Sequence, residues 1–288
     1  MRLANVEGRA VLLASDDAGI DVEHSSDGKF GPGLSAIFEN WDSFRVWADH
    51  AAVTAEVTFT RDQLGSPSPQ PKQIVAIGLN YSAHAAESGF AAPDRLPPTF
   101  TKFVSSLTGP DAEVVLPAGG NTDWEVELVA IIGRTATRVK EDEAWNYVAG
   151  LTIGQDISER VSQLAGPAPQ FSLGKSFPKF APVGPWLVTP DAVPDRDELS
   201  LSCAVNGQTM QDGSTRDLIF PVARLVSELS QTITLYPGDI IFTGTPAGVG
   251  VGRTPQQFLQ PGDELVSRIE GLGEMRQTFV SKAPEAEG

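Results

Sequence analysis

Cysteine is almost missing from the 288-residue chain: Cys203 stands alone, so no intrachain disulfide can form and no multi-cysteine zinc site exists. Basic residues are scarce, 21 against 37 acidic ones, and the net charge is −16. A chain this acidic repels phosphate backbones and anionic bilayers, so no nucleic-acid partner and no membrane partner is expected. The stretch from Met1 to Gly8 lacks the apolar region of a secretory signal, and no apolar run approaches the roughly 18 residues of a membrane span, so the expected location is cytoplasmic. Histidine is limited to positions 24, 50 and 84, few enough for each to be weighed separately.

What is abundant is apolar, glycine and proline. Hydrophobic residues make up 41% and charged residues 20%, the balance of a globular chain. With 28 glycines and 22 prolines between short apolar runs, the composition favours a mixed α+β, β-rich fold over a helical bundle. Residues 1–62 read as a small N-terminal domain, with a strand over Arg9 to Ala14 and helical spacing from Leu34 to Ala48. Residues 63–72, with Pro67, Pro69 and Pro71, read as a Pro-rich linker, followed by a larger domain over 73–288. There the pattern predicts strands over 74–79, 113–116, 125–133 and 151–156. It predicts a hairpin turning at Asn206-Gly207 and strands after Pro237-Gly238-Asp239 and Pro261-Gly262-Asp263. A helix is expected over Asp217 to Ser230, capped at Ser214 or Thr215, with Pro221 in its first turn, and a frayed tail over Ala283 to Gly288.

The stretch Asp123-Trp124-Glu125-Val126-Glu127-Leu128 is the most informative. Alternate side chains of a strand share a face, which puts Asp123, Glu125 and Glu127 together about 7 Å apart. Two readings stand on the residues alone: a solvated acidic edge, or oxygen ligands for a hard divalent cation such as Mg²⁺, Mn²⁺ or Ca²⁺. Asp156, where a second apolar strand leaves the core, is a candidate third ligand or a turn residue. His84 and Glu87 are three residues apart, so on a helix they share a face, and a histidine oriented by a carboxylate makes a general base near neutral pH. An ordinary surface pair on a loop has the same spacing.

Together these stretches resemble the fumarylacetoacetate hydrolase family. The pieces are Gly78-Leu79-Asn80-Tyr81 with His84 and Glu87, Thr99-Phe100 with Lys102, and Gly109-Pro110. They continue with Asp123 to Leu128, Gly154-Gln155-Asp156-Ile157-Ser158, Gly174-Lys175-Ser176-Phe177 and Gly184-Pro185-Trp186. The last is Thr243-Gly244-Thr245-Pro246-Ala247-Gly248-Val249-Gly250. The leading unit is similar to the smaller first domain of bacterial members.

The resemblance implies a β-sandwich roll and a homodimer. It implies Mg²⁺ or Mn²⁺ on Glu125, Glu127 and Asp156 with Asp123 beside them, a catalytic dyad of His84 and Glu87, and Lys175 facing substrate. Tyr81, Gln170, Gly244 and Thr245 are implied around the substrate. The implied partner is a small anionic oxo acid, and the implied reaction is cleavage of a 2,4-dioxo acid to pyruvate and a carboxylic acid. Oxaloacetate-type decarboxylation and 2-hydroxyhepta-2,4-diene-1,7-dioate-type isomerisation are the alternatives on the same site. Gln155, the run Ser158-Glu159-Arg160-Val161, Leu173 and Pro178 depart from residues frequent in the family; these departures leave the implied metal site intact and the distal substrate contacts open.

Overall fold

The computed structural model describes residues 1–87, 91, 93–193 and 195–281; the expected tail over 283–288 lies outside them. Its frame is a large mixed sheet and a five-stranded sheet. In the large sheet, Val126–Ile132 pairs antiparallel with Val148–Gln155 on one side and Ile240–Phe242 on the other. Ile74–Ile77 joins Ile240–Phe242 in parallel, and Thr99–Thr101 follows at that end. Beyond Val148–Gln155 comes Ala181–Val188. The second sheet runs Gln208–Ser214, Ser200–Val205, Glu264–Ile269, Gly273–Ser281 and Asp111–Leu116. The expected hairpin turns through Asn206 and Gly207, both with positive φ (50° and 79°), as a two-residue turn with right-handed strand twist requires.

Strand alternation builds two cores. Val126, Leu128, Ala130 and Ile132 pack between the sheets with Leu201, Cys203, Leu265 and Phe279. Val129 and Ile131 point to the opposite face, where Ile37, Phe38, Trp41 and Phe44 cover them. Because both faces are covered, the strand is apolar on both, and Glu127 at its entry is drawn inside.

The leading unit enters this sheet directly. Arg2–Val6 pairs with Ala181–Val188 through Leu3 and Leu187. In the proline-rich segment, Leu64–Gly65 pairs with the same first strand, Ser66 and Ser68 are buried, and the Ser68 hydroxyl donates to the Gly238 carbonyl. The segment read as a linker is thus packed from Leu64 to Ser68, while Pro69, Gln70 and Lys72 are exposed, and strands on both sides of it share one sheet.

Two helices differ from expectation. The 34–48 run is two helices, Leu34–Glu39 and Trp41–Ala48, interrupted at Asn40, whose amide donates to the Ala36 carbonyl and competes with the helical ladder. The 217–230 helix begins only at Val222. Ser214 caps a short turn at Thr215–Asp217, and Leu218 is extended. Asn80 grips the backbone of the next two residues: its carbonyl accepts from Ile219 N–H, and its side chain pairs with both the N–H and the C=O of Phe220. Pro221 disfavours helical backbone at Phe220, so it stands at the N-cap, before the first turn. No helix among the described residues is long and apolar enough to cross a membrane.

Gly154 sits opposite Glu127 in the sheet, and a Cβ there would lie 2.5 Å from the Phe242 ring and from a Val129 methyl. Gly154→Ala is expected to lower unfolding free energy by about 1–3 kcal/mol through overpacking, read by denaturant titration. A change within error would show that the strands relax around the added methyl.

Candidate metal centre and active-site cleft

Antiparallel pairing brings the acidic residues together. Glu125 stands just before Val126, which pairs with Gln155, and Asp156 follows immediately. The Asp156 N–H donates to the Glu125 carbonyl, and the Glu125 N–H donates to the Gln155 side-chain oxygen, 2.9 Å each. Gln155 is held in turn by the Ser267 hydroxyl. One carboxylate oxygen from each of Glu125, Glu127 and Asp156 falls within 4.8 Å of the others, and all three residues are buried. This removes the solvated-edge reading and the turn reading of Asp156.

Three buried cations face the cluster. Lys175 Nζ lies 2.8 Å from Glu125 Oε2 and 2.6 Å from Asp156 Oδ2. Lys102 Nζ lies 2.6 Å from the other oxygen of Asp156 and also donates to the Lys175 carbonyl. Arg160 bridges Glu125 Oε1 and Asp123 Oδ2, each at 2.7 Å. Burial opposes ionisation of Glu125, but Lys175 and Arg160 outweigh it and hold that carboxyl well below the usual range. Glu127 is pushed well above it, first by burial and then by Asp156 and Glu125, with Lys175 and the Gly244 N–H opposing. Burial lowers Lys102, whereas Lys175, between two carboxylates, is raised despite burial.

Main-chain donors complete the balance. The loop 243–252 supplies Gly244 N–H to Glu127 at 2.6 Å, Gly248 N–H to Glu87 at 3.1 Å and Gly250 N–H to Asp123 at 2.7 Å. At Gly250 a Cβ would lie 1.9 Å from the Gln257 carbonyl, so no side chain fits there. Asp123 also accepts from Val251 and Trp124 N–H. It anchors Arg160 and this loop, and takes no place in the three-carboxylate cluster.

His84 and Glu87 lie on the short helix Ser82–Glu87 with Nδ1 3.4 Å from Glu87 Oε2, so the helical reading of this pair holds. A carboxylate only accepts, which assigns the proton to Nδ1 and leaves Nε2 as the basic nitrogen. Burial opposes ionisation of Glu87, but His84 and the Gly248 N–H hold its carboxyl below the usual value. His24 and His50 are in the N-terminal segment, away from this cavity.

A cavity of about 570 Å³ collects these groups: His84, Glu87, Glu125, Glu127, Arg160, Lys175 and Thr245 all line it. Thr245 is already committed, its hydroxyl donating to the Val126 carbonyl and accepting from Gln211. Gly244 acts through Glu127. Tyr81 is buried behind the cavity, its hydroxyl without a hydrogen-bond partner among the described residues. Gln170 is exposed and caps its own short helix, its oxygen accepting from Ser172 N–H, which keeps it off the lining.

Arg160 and Gln163 were missed in the sequence. Arg160 Nη1 donates to Gln163 Oε1 at 2.8 Å, which turns the Gln163 amide nitrogen the other way. Their signal was the i, i+3 spacing just after the Asp156 strand, readable only once Asp156 is placed inside.

The donor set is all oxygen, closely spaced and buried, and Lys175 already seats a positive charge between two of its members. These residues fit a hard divalent cation. Such a site with a carboxylate-oriented histidine on the same cavity is the layout of an enzyme that works with a bound divalent ion.

The chain belongs to the fumarylacetoacetate hydrolase family: residues 73–280 match Fumarylacetoacetate (FAA) hydrolase C-terminal. It is 50% identical over 215 residues to a 2,4-didehydro-3-deoxy-L-rhamnonate hydrolase of Sphingomonas sp. (strain SKA58), covering 74% of this chain and 75% of the relative. It is 44% identical over 220 residues to the human mitochondrial oxaloacetate tautomerase FAHD2A, covering 76% of this chain and 68% of that protein. The crystal structure of maleylpyruvate hydrolase from Sphingobium sp. SYK-6, in complex with manganese(II) ion and pyruvate, superposes with a TM-score of 0.77 at 30% identity. That match covers 98% of this chain and all of the other.

Asp123→Ala would strand the buried Arg160 charge and two loop N–H groups. It is expected to cost about 3–5 kcal/mol of stability in denaturant unfolding. A loss under about 1 kcal/mol would show that Arg160 finds full compensation in Glu125.

Proposed function

We propose that the protein hydrolyses the C3–C4 bond of a small 2,4-dioxo acid, releasing pyruvate and a carboxylic acid, with Mg²⁺ or Mn²⁺ on Glu125, Glu127 and Asp156. The observation that carries this reading is that Glu125 and Glu127 of the three-carboxylate cluster and the His84–Glu87 pair line one cavity, with Asp156 buried directly behind within 4.8 Å of both glutamates. The bound ion supplies an electrophile for the 1-carboxylate and 2-oxo oxygen of the substrate.

The chain's own residues supply the rest. Glu87 holds Nδ1 of His84, so Nε2 faces the cavity as the proton acceptor. There it takes a proton from the water that attacks C4. The Arg160 guanidinium, the Lys175 ammonium and the free Gln163 amide N–H are the donors available to the oxygen that gains charge at C4. When the C3–C4 bond breaks, its electron pair stays on C3, which is protonated to give the methyl group of pyruvate. The likeness to a maleylpyruvate hydrolase with pyruvate bound supports this reaction, as does the similarity to a sugar-acid hydrolase.

A second reading is tautomerisation of an oxo acid, the activity that names the human relative. It needs His84 as a proton shuttle and no attacking water. Proton NMR of 2,4-dioxopentanoate with metal-loaded protein is expected to show pyruvate and acetate appearing together, and neither after EDTA treatment. Conserved mass with enol–keto exchange would favour the tautomerase reading, and CO₂ from oxaloacetate would favour a decarboxylase.

Two substitutions separate the roles. Glu125→Ala is expected to abolish metal binding by calorimetry and turnover together. His84→Ala is expected to keep metal affinity and lose turnover by about 10²–10⁴-fold. Near-normal turnover in His84→Ala would remove histidine from the mechanism.

A further inference from the structure

Part of the cavity lining is apolar: Ile77, Leu79, Pro98, Phe100, Leu164 and Phe171 contribute to it, Phe100 and Phe171 meeting edge to face at 5.6 Å, with the Lys175 ammonium 5.1 Å from the Phe100 ring centroid. Leu164 stands at the rim, 54% exposed. A large apolar side chain held open to solvent at the mouth of a cavity is a surface that a ligand would cover.

Among the described residues, only Arg160 and Lys175 line the cavity with positive charge, and each is already shared between two carboxylates. Arg253, near the mouth, is turned away: its guanidinium donates to the Met210 and Gly248 carbonyls and lies over the Trp124 ring.

Charge counting points the same way. Glu87, Asp123, Glu125, Glu127 and Asp156 face Lys102, Lys175 and Arg160, a deficit of two positive charges that a divalent ion makes good. The first carboxylate of an oxo acid meets that ion. A second, at the distal end, would find no further cation on the described lining, because Arg160 and Lys175 are already shared between carboxylates, and would lose its hydration. For a distal hydroxyl, the Thr245 hydroxyl on the lining is already used in both directions, and the Gln163 amide N–H is among the donors to the C4 oxygen.

We propose that the substrate is a monocarboxylate, a 2,4-dioxo acid whose acyl end is uncharged and apolar and packs on the Ile77–Leu79–Phe100–Phe171 wall beneath Leu164. The proposal rests on the preceding reading of the carboxylate cluster as the site for the oxo-acid head.

Calorimetry on the full chain loaded with Mg²⁺ or Mn²⁺ tests it with acids that cannot be cleaved between C3 and C4. Pyruvate is the shared head, 2-oxohexanoate adds an apolar tail, and 2-oxoadipate carries a terminal carboxylate on the same six carbons. The expected result is 2-oxohexanoate tighter than pyruvate, and tighter than 2-oxoadipate by at least about tenfold. Leu164→Arg, at an exposed position that tolerates a long side chain, is expected to close or reverse that gap. Binding of 2-oxoadipate as tight as that of 2-oxohexanoate would overturn the monocarboxylate assignment. Tighter binding of 2-oxo-4,5-dihydroxyhexanoate than of 2-oxohexanoate would overturn the apolar one. Binding of none of these acids, pyruvate included, would overturn the reading of the site itself and this inference with it.

Discussion

Four carboxylates buried within one small volume set the terms for the rest of the structure. Asp123, Glu125, Glu127 and Asp156 are all essentially removed from solvent. Each ionised group left unpaired in such a place costs several kcal/mol, a large share of the roughly 5–15 kcal/mol that holds a domain folded. The surrounding architecture reads as compensation: two lysines and an arginine from three separate segments, and two glycine N–H groups from one loop. The compensation is incomplete at Glu127, whose carboxyl is held well above its ordinary range by burial and by Asp156 and Glu125. A centre short of positive charge and lined with oxygen is a place prepared for a cation.

The same loop couples the carboxylate cluster to the His84–Glu87 pair. Gly244 holds Glu127, Gly248 holds Glu87, and Gly250 and Val251 hold Asp123, so a shift of this segment would move all three at once. Asn80 ties the segment before the His84 helix to Phe220 and, through its amide, to the Thr243 carbonyl at the loop's start. The dyad and the carboxylates are therefore referenced to one piece of backbone, which is how reacting groups are kept in register without rigid side-chain stacking.

The N-terminal segment contributes at a distance. Its first strand extends the large sheet, and its aromatic helices cover the face that carries Val129 and Ile131. By closing that face, it buries Val129 and Ile131, the strand neighbours of Glu127 on the same side. The proline-rich stretch belongs to this packing: extended backbone without free donors suits a segment laid along a sheet as well as it suits a spacer.

Local pattern determined much of this protein. Period-two alternation from Val126 to Ile132, the Asn206-Gly207 turn, and the three-residue spacing of His84 and Glu87 follow from rules acting over a few residues, and the structure keeps each of them, whereas Asp123 leaves the expected strand for a separate short ladder. The family and the identity of the three carboxylates were legible for the same reason. Other features rest on contacts between residues far apart in the chain, which no local rule records. Whether Glu125, Glu127 and Asp156 were a wet edge or a buried cluster depended on two sheets and an N-terminal layer closing over them. Lys102 and Arg160 look like surface cations until that closure buries them beside Asp156 and Asp123. The helix expected from Asp217 starts at Val222 because Asn80, 140 residues from Phe220, holds the intervening backbone extended. Gln170, placed near substrate by resemblance, turns back to cap its own helix. Sequence pattern decided which groups are candidates for the chemistry; tertiary burial decided their charge and their partners.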